Sequence, residues 1–315
     1  IDTPCWIAGS VETGKKLHVI PGGRSGTEAT QVGHIAHVLA LAISTDNKFL
    51  ASGCRNRTIH IWKPDTCERV HTFSGHKDAV SGLVFRKGTH DLYSASFDRS
   101  VKIWNLDEMA YVETLFGHQD HVTGIDALSR ERVLTSGGRD GSVRVWKVVE
   151  ESQLVFHGHS GSIDCVQLIN EEHFISGSDD GSVALWSVMK KKPSCLVKRA
   201  HSRSDDDADN NNAESTEEAK WIGAVAALHS TDLVASGSCD GYVRLWQCSE
   251  GYRSLKLLHK IPVVGFVNAL RFASSGDFIV AGVGQEHRLG RWWRRRDARN
   301  SVCIVPLKRT STKQA

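Results

Sequence analysis

Tryptophan recurs in this chain at a nearly constant interval. Trp62, Trp104 and Trp146 are spaced by 42 residues, Trp186 follows after 40, Trp246 after 60 and Trp292 after 46. Each of the first four lies 27 or 28 residues beyond a Gly-His pair: Gly33-His34, Gly75-His76, Gly117-His118 and Gly158-His159. Ala200-His201 precedes the fifth and a degenerate Leu258-His259 the sixth. Between them recurs a string of small residues ending in an acid, as in Ser94-Ala95-Ser96-Phe97-Asp98 and Ser176-Gly177-Ser178-Asp179-Asp180. A period of this size marks a supersecondary unit that buries its apolar face only by stacking on its neighbours. The 315 residues therefore form a distributed core rather than two ordinary compact domains.

Within a repeat the spacing predicts four short strands, for example Val80–Phe85, Asp91–Ser96, Ser100–Trp104 and Tyr111–Leu115. Val101-Lys102-Ile103-Trp104 and Val143-Arg144-Val145-Trp146 alternate with the period of half-buried strands. Asp-Gly at 140–141, 180–181 and 240–241 is a tight-turn dipeptide between two of them. These features resemble the WD40 repeat family, whose members fold as all-β propellers, and six whole repeats plus half of another imply seven blades. Six complete repeats, starting at His34, His76, His118, His159, His201 and His259, occupy 33–306. Residues 1–20 supply the last two strands of a partial first blade, Cys5–Ala8 and Lys16–Ile20. A six-bladed ring is the alternative. Trp292 is expected as the sixth blade tryptophan, Val302–Pro306 as a fourth strand, and 307–315 as a basic tail.

The repeated His, Ser, Asp and Trp keep a fixed register: His76, Ser94, Asp98, Trp104; His118, Ser136, Asp140, Trp146; His159, Ser176, Asp180, Trp186; His201, Ser236, Asp240, Trp246. Ser, His and Asp together suggest a hydrolase. Four copies at matching spacing argue instead for a buried polar network that fixes strand register, since one enzyme does not need four active sites. In the repeat starting at His34, Asn56 stands where the network Asp belongs, so that network is altered.

Other chemistry finds little footing. The eight cysteines are scattered without C-x-x-C, which speaks against a zinc site or a disulfide framework. No apolar run approaches the roughly 18 residues of a membrane helix. Gly282-Val283-Gly284-Gln285-Glu286-His287 is not a dinucleotide fingerprint, so neither a cofactor nor a small-molecule substrate is expected. Lys63, Asn105, Lys147, Ser187 and Gln247 replace the Asp that normally follows the repeat tryptophan. No Trp-Asp-x-Arg occurs, and with it the motif that docks many propellers on cullin ligases is missing.

Charge is unevenly distributed behind a net +3. Residues 202–220 carry net −5 in a low-complexity insertion, expected as a mobile loop, and 288–315 carry net +8. Arg288, Arg294, Arg295, Arg296 and Arg299 read as a phosphate-binding surface or a solvated charge run. Arg55, Arg57, Arg99 and Arg139 fall in turns on the insertion's face, whereas Arg294–Arg299 are expected beyond a blade strand, on the other face.

Several strings go beyond general WD40 consensus: Gly14–Pro21 (GKKLHVIP), Tyr111–Gln119 (YVETLFGHQ), Glu150–Phe156 (EESQLVF), Val263–Phe266 and Ser275–Trp293 (SGDFIVAGVGQEHRLGRWW). They resemble one subfamily, the WD-repeat subunits of the U3 small nucleolar ribonucleoprotein. That resemblance implies a nucleolar, non-enzymatic scaffold that binds the box B/C element of U3 small nucleolar RNA. Its implied partners are a kink-turn-binding protein and other small-subunit processome proteins, in precursor ribosomal RNA processing. Carried onto this chain, RNA contact falls on Arg288, Arg291, Arg294, Arg295 and Arg296, with Trp293 as a stacking or packing group. The competing reading is a protein-only adaptor that binds peptides on the propeller faces.

Overall fold

Alternating apolar residues produce strands throughout, and the computed structural model, which describes residues 4–23, 33–202, 220–288 and 290–308, contains no helix among them. The acidic insertion, apart from Ser202 and Lys220, and the tail beyond 308 lie outside the described residues. The chain divides into two compact units, Ile1–His157 and Gly158–Ala315.

The first unit begins with an antiparallel pair, β1 (Pro4–Gly9) and β2 (Lys16–Pro21). Three four-stranded antiparallel meanders follow: β3 (Val38–Ile43), β4 (Leu50–Cys54), β5 (Ile59–Trp62), β6 (Arg69–Phe73); β7 (Val80–Phe85), β8 (Asp91–Ser96), β9 (Ser100–Asn105), β10 (Ala110–Phe116); β11 (Val122–Ala127), β12 (Arg132–Gly137), β13 (Ser142–Lys147), β14 (Ser152–His157). The second unit holds two more: β15 (Ile163–Leu168), β16 (His173–Ser178), β17 (Val183–Ser187), β18 (Cys195–Val197); β19 (Ala224–Ala227), β20 (Leu233–Gly237), β21 (Tyr242–Cys248), β22 (Leu255–Pro262). It closes with β23 (Phe266–Phe272), β24 (Phe278–Gly284), β25 (Glu286–His287), β26 (Gly290–Arg294) and β27 (Ser301–Pro306).

Within each unit the sheets stack face to face, and the tryptophan of one sheet packs on the sheet before it. Trp104 joins Ala51, Ile59 and Ile61, while Trp146 joins Tyr93, Ala95 and Ile103. In the second unit Trp246 joins Ile175, Val183 and Leu185. Backbones approach closely at these seams: a Cβ on Gly53 would meet Val80 Cγ1 at 2.6 Å. First strands such as β7 and β15 are buried, whereas fourth strands such as β6 and β10 face solvent.

The last sheet departs from expectation in three ways. Ser301–Pro306 pairs directly with β24 and is a third strand, not a fourth. Gly290–Arg294, which carries Trp292, pairs only with β25 in a hairpin off the sheet, so Trp292 does not hold the blade position. The reason is patterning: a third strand must offer apolar side chains inward, and Cys303 and Val305 do so against the Val267–Ile279 core. His259 lies exposed in the middle of β22 and starts no network.

Elsewhere the polar network has a regular geometry. Trp104 Nε1 donates to Ser94 Oγ at 2.8 Å, His76 Nε2 lies 2.8 Å from the same hydroxyl, and His76 Nδ1 lies 2.9 Å from Asp98 Oδ2. Burial opposes ionisation of Asp98, but bonds from His76, Ser100 and the Lys77 N–H hold its carboxyl well below the usual range. Trp246, Ser236 and His201 repeat these contacts at 2.8 and 2.8 Å, with His201 Nδ1 3.0 Å from Asp240 Oδ2. The three groups have the order of a catalytic triad. Ser94 and Ser236, however, are fully buried, each accepting from an indole N–H.

Two of the expected sets are rearranged. In the β11–β14 sheet Thr135, not Ser136, accepts from Trp146 Nε1 at 2.8 Å and meets His118 Nε2 at 2.8 Å. Paired residues of β12 and β13 lie one residue further apart in sequence than those of β8 and β9, which places Thr135 opposite Arg144 as Ser94 lies opposite Lys102. Ser136 turns instead to Thr123, 3.0 Å away. In the next sheet Trp186 and His159 share Ser176, each at 2.7 Å. There, His159 Nδ1 meets Ser182 Oγ at 2.7 Å rather than Asp180, which lies 4.0 Å away.

The sheet with Asn56 keeps His34, Ser52 and Trp62 in the same contacts, at 2.7 and 2.7 Å, but His34 stacks on His60 with ring centroids 3.7 Å apart. Burial drives His34 down to about 4, and burial together with the neighbouring His34 drives His60 down to about 3. The folded state keeps both neutral while the unfolded chain protonates them below about 6.5. Stability is therefore present above that pH and falls as pH drops towards 4, by about 3 kcal/mol for His34 alone. Thermal unfolding between pH 7 and 4.5 is expected to show this loss, with a shallower slope in His60→Phe. The Thr135 assignment has its own check. Thr135→Val leaves Trp146 and His118 without their acceptor and is expected to cost about 1–3 kcal/mol, more than Ser136→Ala, by denaturant titration.

Candidate nucleic-acid interface

Arg55, Arg57, Arg99 and Arg139 are all exposed, on the connections from second to third strands in the first unit's sheets. Arg57 and Arg99 adopt left-handed φ of 66° and 68°, at the turn position taken by Gly141, Gly181 and Gly241 elsewhere. A long, charged residue there is locally unfavourable compared with glycine, and it projects from the turn into solvent.

Residues 285–300 form the corresponding connection in the last sheet, from β24 to β27. Its arginines thus occupy the same class of connection as the turn arginines, not the opposite end of a strand. The expectation of two basic groups at opposite ends is corrected by the pairing of β27 with β24.

The arginines of this connection divide by role. Arg288 is half-buried; its Nη2 donates to the Asp164 carbonyl at 2.7 Å and its N–H to Asn268 Oδ1 at 2.9 Å. Burial pushes the neighbouring Asp164 carboxyl up to about 6, and the Arg288 charge opposes that rise. Arg295 donates to the Cys239 carbonyl at 2.9 Å and forks onto Asp297 at 2.8 and 3.3 Å. These two side chains fasten the hairpin to the β15 and β20–β21 regions and are engaged in structure.

Arg294, Arg296 and Arg299 remain exposed. Arg294 contacts Gln285 Oε1 at 2.8 Å and lies 3.9 Å from Glu286. The side chains of Arg291 and Trp292 lie outside the described residues. Trp293 is half exposed, with one side against Trp221 at 5.3 Å between centroids. Trp221 in turn meets His287 edge-on at 5.5 Å, and burial holds that imidazole near 4, hence neutral.

The sequence reading missed the amides that shape this connection. Asn268 Nδ2 donates to the Glu286 carbonyl at 2.9 Å, and Gln285 Nε2 to the Ala298 carbonyl at 2.8 Å. Trp221, the support beneath Trp293, was also missed; it lies outside the repeat register, and no spacing rule points to it. Chemically, the connection presents three exposed guanidinium groups and one half-exposed indole. That combination suits phosphates and unpaired bases. Among the described residues no group of His, Cys, Asp and Glu could hold a metal ion.

The WD40 family, described as WD domain, G-beta repeat, matches residues 27–63, 67–105, 109–147, 150–187 and 215–247. U3 small nucleolar RNA-interacting protein 2 of Homo sapiens is 63% identical over 96% of this chain and 62% of its own length. Ribosomal RNA-processing protein 9 of Saccharomyces cerevisiae is 28% identical over 87% of this chain and 58% of its own. A solved structure of U3-55K matches with a TM-score of 0.90 and 61% identity, covering 96% of this chain and 88% of that one. The chain spans about three fifths of the length of these two curated relatives. The repeat, its sheets and these matches agree: the chain belongs to the WD40-repeat family of β-propeller proteins, in the group that includes U3-55K.

Proposed function

We propose that this chain is the non-catalytic WD40 scaffold of a U3 small nucleolar ribonucleoprotein, binding U3 small nucleolar RNA and partner proteins in ribosomal RNA processing. The observation that carries this reading is identity above 60% along 96% of the chain with a protein named for its interaction with that RNA. A kink-turn-binding protein and processome proteins are the partners in this reading, box B/C is the RNA element, and the nucleolus is the location.

Exposed Arg294, Arg296 and Arg299 are the proposed phosphate contacts of the last sheet, with Arg55, Arg57, Arg99 and Arg139 as those of the turns. Arg288 and Arg295 position the hairpin, and Trp293 offers its free face for stacking. Shape and splayed nucleotides, rather than a duplex groove, are what such a surface reads.

Affinity of the full-length protein for U3 small nucleolar RNA is expected to fall steeply with salt. Changing Arg294, Arg296 and Arg299 together to Glu is expected to flatten the log–log salt slope by about 2–3, at roughly 0.7–0.9 per lost phosphate contact. Filter binding across a salt series checks this. A slope unchanged by the triple substitution contradicts the assignment and favours a protein-only adaptor. Arg288→Ala, by contrast, is expected to lower the thermal midpoint.

A further inference from the structure

One exposed aromatic side chain has no structural task in the first unit. Phe116, at the end of β10, is 73% exposed and makes no ring contact among the described residues. It pairs with Ser100, and the same position in the flanking sheets holds Ser74 and His157. An isolated phenylalanine where its counterparts are polar is a feature that packing does not require.

Phe116 borders a cleft of about 520 Å³, which Lys77, Arg99 and Lys102 also line. Small-ligand sites fall at roughly 300–1,000 Å³, so the cleft has room for one nucleotide. The carboxylate present, Asp98, is already saturated: Oδ2 accepts from His76 and the Lys77 N–H, and Oδ1 accepts from Ser100. Lys102 is held by Thr114 Oγ1 at 2.7 Å, its ammonium 5.1 Å from the Tyr111 ring centroid. Lys77 and Arg99 extend into solvent, Arg99 from its left-handed turn position. The cleft therefore combines net positive charge with an open π-face, as single-stranded nucleic acid sites do.

A partner strand added to β10 would produce a different surface. The register of β10 on β9 slips between Tyr111 and Glu113, and such a bulge blunts an edge against strand addition.

We infer that this cleft holds one unpaired nucleotide of RNA, its base stacked on Phe116 and its phosphate on Lys77 and Arg99. The assignment deepens the RNA-binding reading and rests on it. The arginine hairpin serves as the independent control.

The test uses the full-length protein and U3 small nucleolar RNA. Phe116→Ala is expected to weaken binding by about 5- to 150-fold, the range of one lost base stack, with an unchanged thermal midpoint. Phe116→Trp is expected to retain affinity, and Lys77→Glu with Arg99→Glu to weaken it and flatten its salt response. Unchanged affinity in Phe116→Ala and Lys77→Glu, with loss in Arg294→Glu/Arg296→Glu, overturns the cleft assignment and leaves the broader reading standing. No loss in either set overturns both. Phe116-dependent binding of a poly-glutamate peptide, with RNA affinity unaltered, assigns the cleft to protein instead.

Discussion

The bond from a buried indole N–H to a hydroxyl on the neighbouring strand is the contact on which the other features depend. Trp104 to Ser94, Trp146 to Thr135 and Trp246 to Ser236 are the same bond in three sheets. An unpaired indole N–H in these seams would carry a desolvation cost, so the tryptophan stays only if the second and third strands keep register. The histidine at the same hydroxyl ties in the segment before the first strand, and through the Asp it ties in the turn as well. In these three sheets one hydroxyl thereby ties three pieces together. A one-residue slip would reverse every side chain of the strand and orphan all three groups.

This explains where variation is tolerated. The connection between second and third strands is anchored at its base, so its tip can carry arginine at positions that glycine occupies elsewhere. The last sheet has no such network, because His259 sits on β22 and Trp292 on the hairpin. Its long connection is held instead by Arg288 on the Asp164 carbonyl and Arg295 on the Cys239 carbonyl. Arginine serves there as a structural clamp, while its neighbours Arg294 and Arg296 stay in solvent. A run of like charges thus contains two kinds of residue, separated by burial and by which carbonyls lie within reach.

Much of the fold was legible because it is periodic. Strand spacing and the sequence of four-stranded units follow from Trp, His and the small-residue string, and the all-β reading agrees with the observed sheets. Legibility failed where the period failed. Ser136 lies at the same offset from His118 as Ser94 from His76, and only the pairing of Thr135 with Arg144 reveals the extra residue in the turn. Trp292 matched the tryptophan interval, but its strand pairs only with β25 and not with the last sheet. The division of the arginine run could not be read at all: it depends on Asp164, some 120 residues earlier, and on Cys239. Phe116 was visible only as part of a family-like string; its exposure is a property of the packed sheet.

The proposal that connections between second and third strands contact RNA in each unit has a direct test. Ultraviolet crosslinking of the full-length protein to U3 small nucleolar RNA, with crosslinked peptides mapped by mass spectrometry, tests it most directly. Adducts are expected at residues 285–300 and around the turns that bear Arg55, Arg99 and Arg139. Adducts confined to the connections between first and second strands, such as 44–49, 86–90 and 169–172, would contradict it.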